Sequence, residues 1–125
     1  MSLCFTAQDR LKHGRDFDRV FRQGRKRWGR FVCLHYIISA EDRTRIGLTV
    51  SKKVDKRAVR RNLVKRRLRE IFRNNRQIFP DCFDIVIRAL PGCADAQYGE
   101  LQDEVLQLAE SVGSAKTDNP DDKTV

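Results

Sequence analysis

Histidine is scarce in this chain. His13 and His35 are the only two in 125 residues, and neither has an evident acidic or metal-ligating partner, so nothing suggests a histidine-centred acid–base pair. His35 lies in a strand and reads as a packed or face-lining residue. The four cysteines, at 4, 33, 82 and 93, are widely and irregularly spaced with no CxxC pair, which argues against zinc. No long apolar run or lipidation signal is present, so neither a membrane span nor a lipid anchor is expected. Residues 1–8 lack the charged and apolar regions of a secretory signal. A cytoplasmic location with reduced thiols is therefore expected, Cys33 and Cys82 serving as small apolar residues. Acidic residues are sparse before residue 77 and later follow no ligand-like spacing.

What is abundant is positive charge. The formal net charge is +9 and the isoelectric point about 9.9, which makes an anionic partner the default. The charge is uneven. Residues 1–51 carry net +6, residues 52–76 carry 12 basic and 2 acidic groups, and residues 77–125 carry net −7. Arginine outnumbers lysine eight to four in the central stretch, and its planar fork suits phosphate and base stacking. At this length one domain is expected.

Local pattern predicts a short helix from Asp16, with Phe17, Val20 and Phe21 on one face and Gly24 as its stop. Residues 25–30 read as a basic connector. Residues 31–38 read as a strand with apolar residues on both faces: Phe31, Cys33, His35 and Ile37 on one, Val32, Leu34, Tyr36 and Ile38 on the other. Residues 46–50 read as a second strand, antiparallel to the first through the polar loop between them. Residues 58–75 hold strong helix formers and no Gly or Pro. Residues 83–89 form a third strand, and residues 98–112 a last helix with Leu101, Val105, Leu108 and Val112 on one face. The domain is expected to span 1–112, with 1–14 loosely ordered and 113–125 a polar disordered tail.

On the long helix, Val64, Leu68, Ile71 and Phe72 fall on one stripe. Asn62, Lys65, Arg66, Arg69, Arg73 and Arg76 fall on another arc. A charged helix face usually alternates in sign for solubility. This one is single-signed, and like charges four residues apart cost a few tenths of a kcal/mol each. That cost points to a nucleic acid on the arc, although charge alone does not choose RNA over DNA. A DNA-binding helix would come with a turn–helix pair or a dimer seam, and a protein nuclease with clustered carboxylates; neither pattern is present.

Three ordered segments carry a family resemblance. Ser51-Lys52-Lys53-Val54, Arg57-Ala58, Arg61-Asn62, Lys65-Arg66 and Arg69-Glu70-Ile71-Phe72-Arg73 resemble the signature of the bacterial ribonuclease P protein subunit. Arg10-Leu11 and the run from Asp16 to Gly24 are similar to that family's N-terminal segment, and residues 31–36 and 46–51 to its first strands. The resemblance covers about residues 10 to 110. The family's Arg-Asn-Arg is here Arg61-Asn62-Leu63. Arg60 and Arg67, about 60° and 40° away from Leu63 on an ideal wheel, are candidates to substitute. The strand at 83–89 is followed by Leu90 rather than by the family's basic residues.

The resemblance implies an α+β fold: a compact two-layer sandwich with a mostly antiparallel four-stranded sheet, about three helices and a left-handed βαβ crossover, against the general right-handed rule. It implies a protein subunit that pairs with a catalytic RNA to remove the 5′ leader of precursor tRNA. The RNA would hold the active-site Mg²⁺; the protein would bind no cofactor and supply no catalytic residue. No membrane or DNA partner is expected. The RNA-binding residues would be Lys52, Lys53, Arg57, Arg60, Arg61, Asn62, Lys65, Arg66, Arg69 and Arg73. A cleft between the first helix and the sheet would take the leader, with Phe17, Phe21 and Tyr36 as its aromatic positions. Core packing is the rival reading for Phe17 and Phe21, while the Tyr36 hydroxyl favours a half-exposed site. The rival function is a ribosomal or ribosome-associated RNA-binding protein.

Overall fold

A computed structural model describes residues 10–11, 14–39 and 43–115, with side chains described as far as Val112. The elements are α1 (Gly14–Gln23), β1 (Arg25–Trp28), β2 (Val32–Ile38), β3 (Arg45–Thr49), α2 (Ala58–Asn74), β4 (Phe83–Ala89) and α3 (Tyr98–Ala115), with short 3-10 turns at Arg76–Ile78 and Cys93–Asp95. The strands form one sheet in the order β1-β2-β4-β3. β1 and β4 run antiparallel to β2, and β3 runs parallel to β4. This is the α+β architecture with three helices and a four-stranded, mostly antiparallel sheet.

β2 and β4 are central, so both of their faces are covered. Val32 to Tyr36 and Phe83 to Ile87 are buried without a break, which explains why their sequences are apolar on both sides. On one face, Leu34, Tyr36, Ile46, Ile85 and Ile87 meet Val64, Leu68, Ile71 and Phe72 of α2 and Leu101, Val105, Ala109 and Val112 of α3. On the other, α1 lays Phe17 and Val20 over Ile37 and Val86. The main core is thus a sheet against two helices, and α1 adds a partial third layer.

Two expectations change. Residues 25–28 are strand β1, not a connector. Their propensity is poor, but pairing with β2 and a clamp from α3 override it. Glu104 accepts backbone amides from Arg30 at 2.8 Å, Phe31 at 2.6 Å and Val32 at 2.8 Å, holding the β1–β2 turn. A charged edge strand of this kind also resists pairing with other chains. The second change is the partner of β3, which pairs with β4 and not with β2. The α2 crossover carries the chain to the opposite end of the sheet, and β4 then enters between the two earlier strands. Nothing local in residues 45–49 encodes that choice.

α1 is tied down by charge. Asp84 is fully buried. Arg45 grips it with two bonds, Nε to Oδ1 at 2.9 Å and Nη2 to Oδ2 at 2.8 Å, and Arg19 adds one to Oδ2 at 2.6 Å. One carboxylate therefore joins α1, β3 and β4. Gly47 makes the contact possible: a Cβ there would lie 2.6 Å from the Phe17 ring. Before α1, Leu11 donates its amide to the Ile46 carbonyl at 3.0 Å, so residues 10–11 lie along the outer edge of β3. The rest of 1–14, apart from Gly14, and residues 116–125 of the expected tail lie outside the described residues; α3 continues to Ala115.

Candidate nucleic-acid interface

α2 is a helix because its formers run unbroken, and it is anchored because Val64, Leu68, Ile71 and Phe72 all fall on one buried stripe. The rest of its surface divides by what each cation touches. Asn62 and Arg66 are exposed, with Lys65 and Arg69 half-buried beside them, and Lys52 and Lys53 are exposed in the turn leading to the helix. Among the described residues these six side chains make no hydrogen bond or ion pair. They form a band of free donors beside a buried stripe, with no acid among them.

The other expected contacts are committed internally. Arg57 pairs with Asp55, Nε to Oδ1 at 3.1 Å, and this pair holds the Asp55 carboxyl below its ordinary range and raises the Arg57 guanidinium. Arg61 donates to the carbonyls of Asp55 and Lys56 at 3.1 and 2.9 Å. Arg73 is bound to Glu70 at 2.5 Å. Arg60 donates to the Ala94 carbonyl at 3.1 Å and Asp95 at 2.7 Å, and Arg67 to the Ala96 carbonyl at 3.3 Å. Arg60 and Arg67 are thus turned to the segment before α3 rather than to the free band. Leu63 lines an open groove of about 400 Å³ with Arg66, Arg67, Glu70, Asn74 and Tyr98.

The aromatic trio is divided. Phe17 packs with Leu11, Val20, Ile37 and Val86 beneath α1, and Phe21 is 38% exposed at the end of that helix. Tyr36 is on the other side of the sheet, 3% exposed, against Phe83 with ring centroids 6.0 Å apart. The Arg27 Nε donates to its hydroxyl at 3.3 Å. Tyr36 therefore does not line the α1 side, contrary to the expectation of a half-exposed position in one cleft with Phe17 and Phe21. The reason is strand alternation: Cys33, His35 and Ile37 point to α1, and Tyr36 shares the parity of Val32 and Leu34. The residue beside Phe21 is His35, edge-on at 4.7 Å between ring centroids.

His35 accepts a hydrogen bond from Arg88 Nε at 3.1 Å. Burial, with Arg88 and Lys26 nearby, lowers its pKa to about 4. It is neutral at physiological pH and acts as an acceptor, which does not suit a proton donor in catalysis. The folded pKa lies below the unfolded value of about 6.5, so the unfolded chain binds the proton first as pH falls. Stability is expected to drop by about 2 kcal/mol between roughly pH 7 and pH 5 from this residue. Urea melts at the two pH values, with His35→Gln as reference, check this: the difference between wild type and variant should shrink at the lower pH. His35, Arg88, Lys26 and Trp28 were not singled out as a group in the sequence. The parity of 31–38 placed His35 on one face, but nothing local showed that α1 would cover it.

Among the described residues no three His, Cys, Asp or Glu side chains are grouped to hold a metal ion. Asp84, Asp55 and Glu104 already serve arginines or backbone amides. No described helix is long and apolar enough to cross a membrane.

A small α+β domain whose long helix presents a free cationic face beside a buried stripe is the arrangement of an RNA-binding protein. The family model for ribonuclease P matches residues 5–113. The ribonuclease P protein component of Azoarcus sp. (strain BH72) is 38% identical over 104 residues, 83% of this chain and 86% of that protein. That of Thermotoga maritima is 38% identical over 87 residues, 70% and 74% of the two chains. The solved RNase P protein from Thermotoga maritima superposes with a TM-score of 0.76 at 29% identity, covering 82% of this chain and 96% of that one. The Staphylococcus aureus RNase P protein gives 0.75 at 28% identity, covering 89% and 98%. The chain belongs to the ribonuclease P protein family and serves in maturation of the tRNA 5′ end. No finding favours the ribosomal alternative.

Proposed function

We propose that this chain is the RNA-docking and substrate-holding subunit of a ribonucleoprotein whose RNA performs the cleavage. The α2 band binds the catalytic RNA, and the cleft between α1 and the sheet holds the single-stranded leader of precursor tRNA. Hydrolysis and its Mg²⁺ belong to the RNA. The protein contributes charge neutralisation and substrate grip, in the cytoplasm.

The band of six free donors supports this most directly. Lys52, Lys53, Asn62, Lys65, Arg66 and Arg69 have no partner among the described residues, while every other predicted contact on and before α2 has one. Cations left unpaired on and just before a core-anchored helix suit phosphates, which release counterions when bound. The test is reconstitution: the pure protein is mixed with a candidate catalytic RNA and precursor tRNA at low Mg²⁺. Cleavage at the leader junction only when both components are present is the expected result. Cleavage by the protein alone, or by the RNA with no gain from the protein, would overturn the reading.

A further inference from the structure

Past the end of α1, partly exposed side chains rather than a helix cover the same face of the sheet. α1 ends at Gln23 and covers Ile37 and Val86. Beyond it, the β1–β2 register sets Lys26 opposite His35 and Trp28 opposite Cys33, and Cys33 faces Arg88 in β4. These five side chains therefore share one face. Trp28 is 45% exposed and Phe21 38%. The Arg88 guanidinium carbon lies 5.1 Å from the Trp28 ring centroid and Lys26 Nζ 5.5 Å from it. Arg88 is held in turn by the His35 Nε2, whose ring meets Phe21. The result is a continuous strip of rings and cations: Phe21, His35, Arg88, Trp28, Lys26.

The fold does not need this indole. Trp28 belongs to neither apolar cluster, and a tryptophan spent on stability would bury most of its large surface. Here it stands on a charged edge strand, kept upright by flanking cations. Exposed rings interleaved with positive charge are what single-stranded nucleic acid requires: bases stack on the rings, and phosphates meet the cations.

We infer that Trp28 is a base-stacking residue for single-stranded RNA, and that the strip extends the leader cleft past the end of α1 to the β1 edge of the sheet. One leader base stacks on the indole. Arg88, fixed by His35, meets a flanking phosphate. The exposed Lys26 side chain swings off the ring to meet another. This rests on the reading that the α1 side of the sheet holds the leader; a single-stranded loop of the catalytic RNA is the rival occupant.

Trp28 is the only tryptophan in the chain, so its fluorescence reports on this ring alone. The full-length protein is titrated with a short labelled oligoribonucleotide, binding being followed by anisotropy and the ring by tryptophan emission. Saturable quenching that tracks binding is expected; binding with unchanged emission would overturn the proposal. In the reconstituted holoenzyme, Trp28→Ala should weaken binding of leader-bearing precursor by about 10-fold or more, the usual value of one stacked base. Leaderless tRNA and assembly with the catalytic RNA should be unaffected, and Trp28→Phe should recover most of the loss. Equal loss for leaderless tRNA, or weakened assembly, would place the indole on another RNA and sink the idea. Phe21→Ala separates the two levels. If it abolishes leader discrimination while Trp28→Ala does not, the cleft stands and the extension falls. If discrimination survives in both, the cleft reading falls as well.

Discussion

Replacing Arg66 and Arg69 together by alanine is expected to weaken assembly with the catalytic RNA by about 100-fold, at roughly 1.5 kcal/mol for each charge-assisted phosphate contact. The slope of log K against log salt should fall by roughly 2, one for each lost contact. Both side chains lie on the free band of α2, away from the Val64–Leu68–Ile71–Phe72 stripe, so the melting temperature should hardly change. Arg60→Ala and Arg67→Ala are the informative controls. Their guanidinium groups are bonded to Asp95, Ala94 and Ala96, so they should cost stability and leave the salt slope nearly intact. Filter-binding or calorimetric titrations across a salt series measure all three variants. An unchanged slope in the double variant would mean that the band does not face phosphate.

Asp84→Ala is expected to produce a large loss of stability. The carboxylate is fully buried and holds Arg45 and Arg19 together. Removing it leaves the two guanidinium groups side by side, with Asp16 holding Arg45 only at 3.8 Å. Breaking a buried pair from one side typically costs about 3–5 kcal/mol; both arginines are partly exposed, at 16% and 32% of the side chain, so about 3 kcal/mol is the better figure. That corresponds to a melting midpoint lower by roughly 10–20 °C. The damage should be local first. Amide exchange in α1 should accelerate more than in α2, because α1 rests on a small apolar contact and this ion cluster, whereas α2 is set into the main core. If α1 and α2 lose protection equally, the cluster is not what docks α1. Leader discrimination should fall with α1 docking, since Phe21 rides on that helix.

α1, α2, β4 and α3 were legible in the sequence within a few residues. Their signals are local: a helix stripe every three to four residues, an unbroken apolar run for a central strand, glycine or proline at the ends. The cationic arc was legible for the same reason, since helical periodicity decides which side chains stand together. β1 was not. Arg-Lys-Arg-Trp has no strand pattern, and it becomes a strand because β2 offers a free edge and Glu104 fixes the turn. The β3–β4 pairing was equally hidden, since hydrogen bonding between strands is blind to side-chain identity. Tyr36 shows a subtler limit. The alternation already set it apart from His35, but which face α1 would cover depended on Gly47 and Asp84, which lie far away in the chain.

The residues alone therefore pointed to an anionic polymer as the partner and showed that α2 carries the charge. These follow from charge count and helical period, both properties of neighbours in sequence. Only the tertiary structure decided which cations are free and which are spent on the fold. It alone set His35, Arg88 and Trp28 side by side and sent Tyr36 to the opposite face. Such outcomes depend on long-range pairing and on competition for a few buried carboxylates and carbonyls, and neither is written into any local stretch of the chain.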